Sequence, residues 1–183
     1  HPQENRPMLT ALLAKTAALP VALTIGVSGL CGPGEPPVEI DRTAPVITRD
    51  DIVIHAPLDR IWKIQTDVEA WPTWQPEVIE ATRLTPGPLR AGSVFRWSVH
   101  GLAGIDSTVK QVLPRRRIAW GGPAQGITAV HVWTFTQRAD GVHVHTEESW
   151  AGAPVEADTP ALQQALDASL DTWLHRLKAK AEN

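Results

Sequence analysis

The spacing of apolar positions changes twice along the chain, and each change marks a new kind of element. Val46–Ile54 alternates at its end and predicts a strand, which Ala56-Pro57 stops. Pro57–Ile64 then carries Leu58, Ile61, Trp62 and Ile64 at helical spacing, with Pro57 suited to a first turn. Asp67 can cap a second short helix through Trp71, which Pro72, Trp74 and Pro76 end. From Glu77 the period drops to two. Val78–Leu84, Ser93–His100, Ile105–Leu113 and Arg117–Trp120 read as strands, and Gly121-Gly122-Pro123 reads as a break. The second change comes at Thr159–Ala181. Thr159-Pro160 predicts an N-cap and first turn, and Leu162, Leu166, Leu170, Trp173, Leu174 and Leu177 recur at steps of three and four, the stripe of a long amphipathic helix.

Between the break and the helix lies a predicted hairpin. Its arms are Gly126–Gln137 and Val142–Trp150, and its turn is Ala139-Asp140 with Gly141 beside it. Pairing Gln137 with Val142 puts Phe135 opposite Val144, Trp133 opposite Thr146 and His131 opposite Glu148. Alternation along a strand places His131, Trp133 and Phe135 on one face. An imidazole and a carboxylate thus meet on an aromatic wall. That arrangement is either an ionisable pair in a ligand pocket or a buried salt bridge in a packed core.

The predicted order is one strand, two short helices, six antiparallel strands and a long helix. A curved antiparallel sheet needs cover on one face, and the long helix has one apolar stripe to give it. The fold class is α+β, a curved antiparallel sheet covered on one face by the C-terminal helix.

Composition narrows the function. A net charge of -3 and the lack of a basic stripe give no reason to expect nucleic acid. Tyr is absent and there are two Phe, but there are eight Trp, a residue suited to walling apolar clefts. A single cysteine, Cys31, excludes an internal disulfide and a thiolate metal cluster. His143 and His145 share a strand face, but parity puts them away from Trp133, where surface histidines are expected, so no metal site is assigned.

Residues 1–37 differ in character from the rest. An apolar run, Thr16–Leu30, follows Lys15 and precedes a Gly/Pro linker, Cys31–Pro37. It reads as a targeting segment or membrane anchor, as a helix docked on the domain or a partner, or as a disordered remainder. Cytoplasmic, membrane-associated and exported locations therefore all stay open. The expected domain is 38–183, as a monomer or homodimer, and the tail is expected to be dispensable for ligand chemistry.

Several segments together carry a resemblance. They are Ile54-His-Ala-Pro57-Leu-Asp-Arg-Ile-Trp62, Thr66-Asp67-Val-Glu-Ala-Trp71-Pro-Thr-Trp74-Gln-Pro76, Gly92-Ser-Val-Phe-Arg-Trp97 and Val109–Trp120. They continue with His131-Val-Trp133-Thr-Phe135, Gly141 and Glu148–Gly152. Over about Ile47–Lys180 the chain resembles the polyketide cyclase/dehydrase branch of the START-like (SRPBCC, Bet v 1-like) helix-grip superfamily. The resemblance implies a deep pocket between sheet and long helix, with the short helices at its entrance. It departs from that pattern in its proline-rich N-terminal segment and its lack of Tyr, since several cyclases of the superfamily are thought to use Tyr and Arg in the cavity.

Strand parity then nominates the wall. Phe95, Trp97, Ser107, Trp120, Trp133, Phe135, Thr146 and Trp150 face inward, with Trp71 and Trp74 at the implied entrance as gate or plug. Arg96, Lys110, Arg117, His143 and His145 face outward. His131 and Glu148 are the candidate acid and base, able to take a proton from an acidic carbon and return it to an oxygen. Ser107 or Thr146 can donate to an enolate or carbonyl oxygen. This chemistry assigns no cofactor. It describes a cyclase or dehydratase acting on an apolar, polyketide-like substrate. The alternatives are a carrier for a lipid, quinone or terpenoid-like ligand, in which Glu148 only orients the cargo, and a partner-binding module.

Overall fold

Seven strands pair antiparallel in the order β1-β7-β6-β5-β4-β3-β2 in a computed structural model that describes residues 34–183. The readings of Thr16–Leu30 lie outside the described residues. The strands are β1 Val46–Ile54, β2 Val78–Arg83, β3 Val94–Val99, β4 Leu102–Leu113, β5 Arg117–Ala124, β6 Ile127–Arg138 and β7 Gly141–Ala151. The helices are α1 Leu58–Thr66, α2 Ala153–Ala157 and α3 Thr159–Glu182. This is the helix-grip arrangement, a curved antiparallel sheet closed around one long helix. No helix among the described residues is long and apolar enough to cross a membrane.

The β6–β7 register is the expected one: Gln137 pairs with Val142, Phe135 with Val144, Trp133 with Thr146 and His131 with Glu148. One face of the sheet and the stripe of α3 bury each other, with Leu166, Leu170, Trp173, Leu174, Leu177 and Ala181 inside.

Five local expectations are corrected. The second short helix is a 3-10 helix, Val68–Thr73, that runs through Pro72 instead of stopping at Trp71. Asp67 precedes it without a side-chain capping bond, and its carboxylate instead accepts from Arg83 at 3.4 Å. β4 starts at Leu102 because positive-φ Gly101 makes the turn, so Gly104 belongs to the strand. Gly121-Gly122-Pro123 does not break β5. A Cβ on Gly121 would lie 2.1 Å from the Ala129 carbonyl oxygen, and one on Gly122 would lie 2.8 Å from that of Asp106. These glycines let neighbouring backbone approach, and Pro123 pairs with Thr128 beyond the last β4–β5 pair, where its missing N–H breaks no rung between those strands. The N-cap of α3 is Asp158, whose carboxylate accepts from the Ala161 N–H at 3.2 Å, with Thr159 already inside the helix.

The outer face of the sheet is partly covered. The end of the predicted linker lies on it: the Gln111 side chain accepts from Val38 N–H at 3.1 Å and donates to the Pro36 carbonyl at 3.4 Å. Ile40 packs on Ala119 and Val132, which explains why these outward positions are apolar. Arg117 is half-buried there, donating to the Val38 carbonyl oxygen. Arg96 and Lys110 are exposed, while His143 and His145 are half-buried and pair with Asp140 and Asp51. Among the described residues no group of three potential ligands could hold a metal ion.

Candidate active site

The space inside the grip is divided in two. The half nearest α1 and the 3-10 helix is solid with aromatic rings. Trp71 packs edge-on against Phe95, Trp97 and Trp173 with centroids 5.4, 5.8 and 5.0 Å away, and Trp133 lies 6.1 Å from Trp173. The other half is hollow, a cavity of about 160 Å³ between the sheet and the first half of α3. Trp173 stands between the halves, with its Nε1 donating to Gln65 Oε1 at 3.2 Å. It touches the aromatic nest on one side and lines the cavity on the other.

This partition sorts the nominated residues. Trp97, Ser107, Trp120, His131, Glu148 and Trp150 line the cavity. Trp71, Phe95, Trp133, Phe135 and Thr146 are buried in packed structure and are not on its wall. Trp74 lies against Trp173 on the side away from the cavity, at a separate surface hollow. Trp71 and Trp74 therefore do not line the cavity: Trp71 is buried in the aromatic nest and Trp74 borders the separate surface hollow. The cavity continues into an outer groove of about 550 Å³ formed by the β3–β4 turn, the β5–β6 turn and α3. Glu77, Val99, Leu102, Ile127, Trp150 and Ser169 line both spaces and make the throat. Strand parity did not supply Glu77, Ser169 or Trp173, because the first lies just before a strand and the other two lie on the helix. The apolar stripe of α3 was the signal for Trp173.

The chemistry converges on Glu148. Its Oε2 lies 3.1 Å from His131 Nδ1, and its Oε1 accepts from Trp150 Nε1 at 2.7 Å. On the far side of the ring, His131 Nε2 lies 2.8 Å from Thr146 Oγ1, which is 3.3 Å from the Val132 carbonyl oxygen. A carbonyl only accepts, so the Thr146 hydroxyl donates its one proton to Val132. Its lone pair then accepts from Nε2–H of His131. With the proton on Nε2, neutral His131 presents a bare Nδ1 to Glu148, and the contact is a hydrogen bond when Glu148 carries the proton. This tautomer follows from the bonding network.

Burial acts in the same direction. The His131 side chain is 4% exposed and that of Glu148 13%. Loss of water holds the imidazole down to about 3 and pushes the carboxyl up to about 7, against the opposing effect of the Trp150 hydrogen bond. A carboxylic acid facing a neutral imidazole is therefore favoured over a buried ion pair. Of the two candidates, Glu148 is the group that can reach a ligand. Both ring nitrogens of His131 are engaged, so it meets the cavity with carbon. Thr146 lies behind it, fixing its tautomer, and cannot donate to an enolate. Ser107 can: its oxygen accepts from Trp97 Nε1 at 3.0 Å, leaving its own proton for the cavity it lines.

An apolar cavity with a few convergent polar groups, set inside a grip fold, has the composition of a small-molecule site. Over residues 45–182 the chain matches the family described as polyketide cyclase / dehydrase and lipid transport, and it belongs to that family. It is 28% identical over 118 residues to a putative polyketide cyclase of Streptomyces cyaneus, covering 58% of this chain and 74% of that protein. In structure it is similar to a START superfamily protein of Mycobacterium smegmatis, with TM-score 0.63, 17% identity, and 74% of this chain and 97% of the other covered. It is also similar to the di-domain ARO/CYC protein BexL of the BE-7585A biosynthetic pathway, with TM-score 0.62 and 18% identity, covering 75% of this chain and half of BexL. At these identities the structural likenesses speak for the fold.

Proposed function

We propose that this protein is a cyclase or dehydratase for an apolar, carbonyl-bearing substrate of polyketide type, that the reacting part of the chain enters the cavity while the rest lies in the outer groove, and that Glu148 moves the protons. The observation that carries this reading is a carboxyl group on an apolar cavity wall, held by Trp150 and His131, whose proton affinity burial pushes up to about 7. Such a group is present in both protonation states at neutral pH and serves as base and acid in turn.

As the carboxylate, Glu148 takes a proton from a carbon beside a carbonyl. The C–H bond breaks, an O–H bond forms on Glu148, and the electron pair passes into the enolate. The enolate carbon bonds to a second carbonyl carbon of the same chain, and that carbonyl oxygen takes the proton back. Loss of a further α-proton and of the new hydroxyl then releases water. Ser107 donates a hydrogen bond to the oxygen that gathers charge, and the aromatic walls hold the chain in a reactive shape. His131, its proton fixed on Nε2 by Thr146, presents the lone pair against which the Glu148 proton rests between steps.

A second reading, reversible binding of an apolar ligand, is favoured by the small number of polar groups on the cavity wall. One experiment separates the two. Metabolite extract from the source organism lacking this gene is incubated with the wild-type protein or with Glu148→Gln, and products are compared by mass spectrometry. A compound isomeric with a consumed one, or lighter by one water, made by the wild type alone supports the enzyme. A compound bound unaltered by both proteins makes this a carrier.

A further inference from the structure

The ionisable groups around the cavity are unbalanced. Among the described residues, neither the cavity nor its outer groove is lined by a lysine or an arginine. Both spaces are lined by Glu77, the cavity also by Glu148 and His131, and the groove also by His100. Glu77 sits at the throat, where its Oε2 accepts from the Ser169 hydroxyl at 3.0 Å. No basic side chain among the described residues pairs with it. The throat is bounded on one side by Trp150, and Trp97 and Trp173 lie further in. Indole faces attract cations and give anions nothing. An apolar site with a carboxylate at its mouth discriminates by charge, since an anionic head beside Glu77 meets like charge and neither a lysine nor an arginine.

Volume sets where that head must lie. A cavity near 150 Å³ takes about one benzene ring, and this one is about 160 Å³. A ligand longer than one ring therefore passes through the throat and lays its remaining length in the groove.

We infer that Glu77 is a specificity-determining residue for a ligand with an apolar ring and a protonated amine a few bonds away, and that the site rejects the corresponding carboxylates. This rests on the cavity being the ligand site proposed above. The amine takes the place of the missing basic residue, donating to Glu77 beside Ser169 while the ring sits against Trp120 and Trp173.

The test uses three probes with the same ring and tether: 4-phenylbutylamine, 4-phenylbutanol and 4-phenylbutyrate. Binding is measured by calorimetry with the full chain at low salt and about pH 6, where Glu148 holds its proton. The wild type is expected to bind the amine about tenfold or more tighter than the carboxylate, with the alcohol between. Glu77→Gln, which keeps an acceptor for Ser169, is expected to bring amine and carboxylate within about threefold and leave the alcohol unchanged. Equal binding of amine and carboxylate by the wild type, or a preference that survives Glu77→Gln, overturns the assignment while leaving the cavity as the ligand site. Failure of the alcohol to bind overturns both.

Discussion

Replacing Glu148 with Gln tests the proton assignment without taking the site apart. The amide reproduces the protonated carboxyl: its NH2 donates to His131 Nδ1 and its oxygen accepts from Trp150 Nε1. In the unfolded chain the ordinary values are 4.5 for Glu148 and 6.5 for His131; folding moves them to about 7 and about 3. His131 is a base whose affinity falls on folding. Between about pH 3 and 6.5 the unfolded chain holds a proton there that the folded chain does not, so stability rises with pH. Glu148 is an acid whose affinity rises. Between 4.5 and about 7 the folded chain holds a proton that the unfolded chain has lost, so stability falls with pH. In the wild type the two effects cancel from pH 4.5 to 6.5, and this pair adds no slope. Below 4.5 His131 acts alone, removing about 2 kcal/mol by pH 3. In Glu148→Gln the His131 slope is uncompensated. Over the two units from 4.5 to 6.5 the variant therefore gains about 3 kcal/mol relative to the wild type. Urea denaturation of both proteins at several pH values measures this, and all other titrating groups drop out of the difference. A difference that stays constant across that range would refute the shared proton.

Three other substitutions probe the supports of the site. Thr146→Val keeps the shape but leaves His131 Nε2–H unpaired. It is expected to cost about 1–3 kcal/mol in urea denaturation and to move the ring proton toward Nδ1, seen in the 15N shifts of His131; an unchanged tautomer would contradict the chain from Val132 to Glu148. Gly121→Ala drives a methyl group into the Ala129 carbonyl. A loss of about 2 kcal/mol or more is expected, and a thermal midpoint equal to the wild type would show that β5 does not approach β6 so closely. Asp158→Ala removes the α3 cap and should lower stability by about 1 kcal/mol, with Asp158→Asn recovering most of it.

Strand periodicity and turn chemistry specified the hairpin fully. The turn at Ala139-Asp140 fixes which residues pair, and that alone brings His131 to Glu148 and Trp133 to Thr146. Parity also separated the face toward α3 from the outer face across β3 to β7, but not buried from exposed positions, because the segment before β1 covers Ala119 and Val132. What it could not separate is a wall from a core. Phe95 and Trp97 are inward residues of one strand, but the first is packed under Trp71 and the second borders empty space. That difference depends on how far rings from the 3-10 helix and α3 reach, which local spacing does not encode. The same blindness hid Glu77 and Ser169, which meet only when the segment before β2 comes against α3. The glycines of β5 misled for a related reason. As punctuation they signal a break, but their small size serves a close approach by residues elsewhere in the chain.

Trp173 turns a single grip into two compartments with separate duties. The ring-filled side binds α3 to the sheet and to the short helices, so cohesion does not depend on what the hollow side contains. Leu166 and Leu170 line the cavity from the same helix but also pack with Val46 and Val155, so they carry part of the cohesion on the hollow side. Trp97, Trp120 and Trp150 line the chamber from the sheet, and the boundary between the two compartments is a single indole ring.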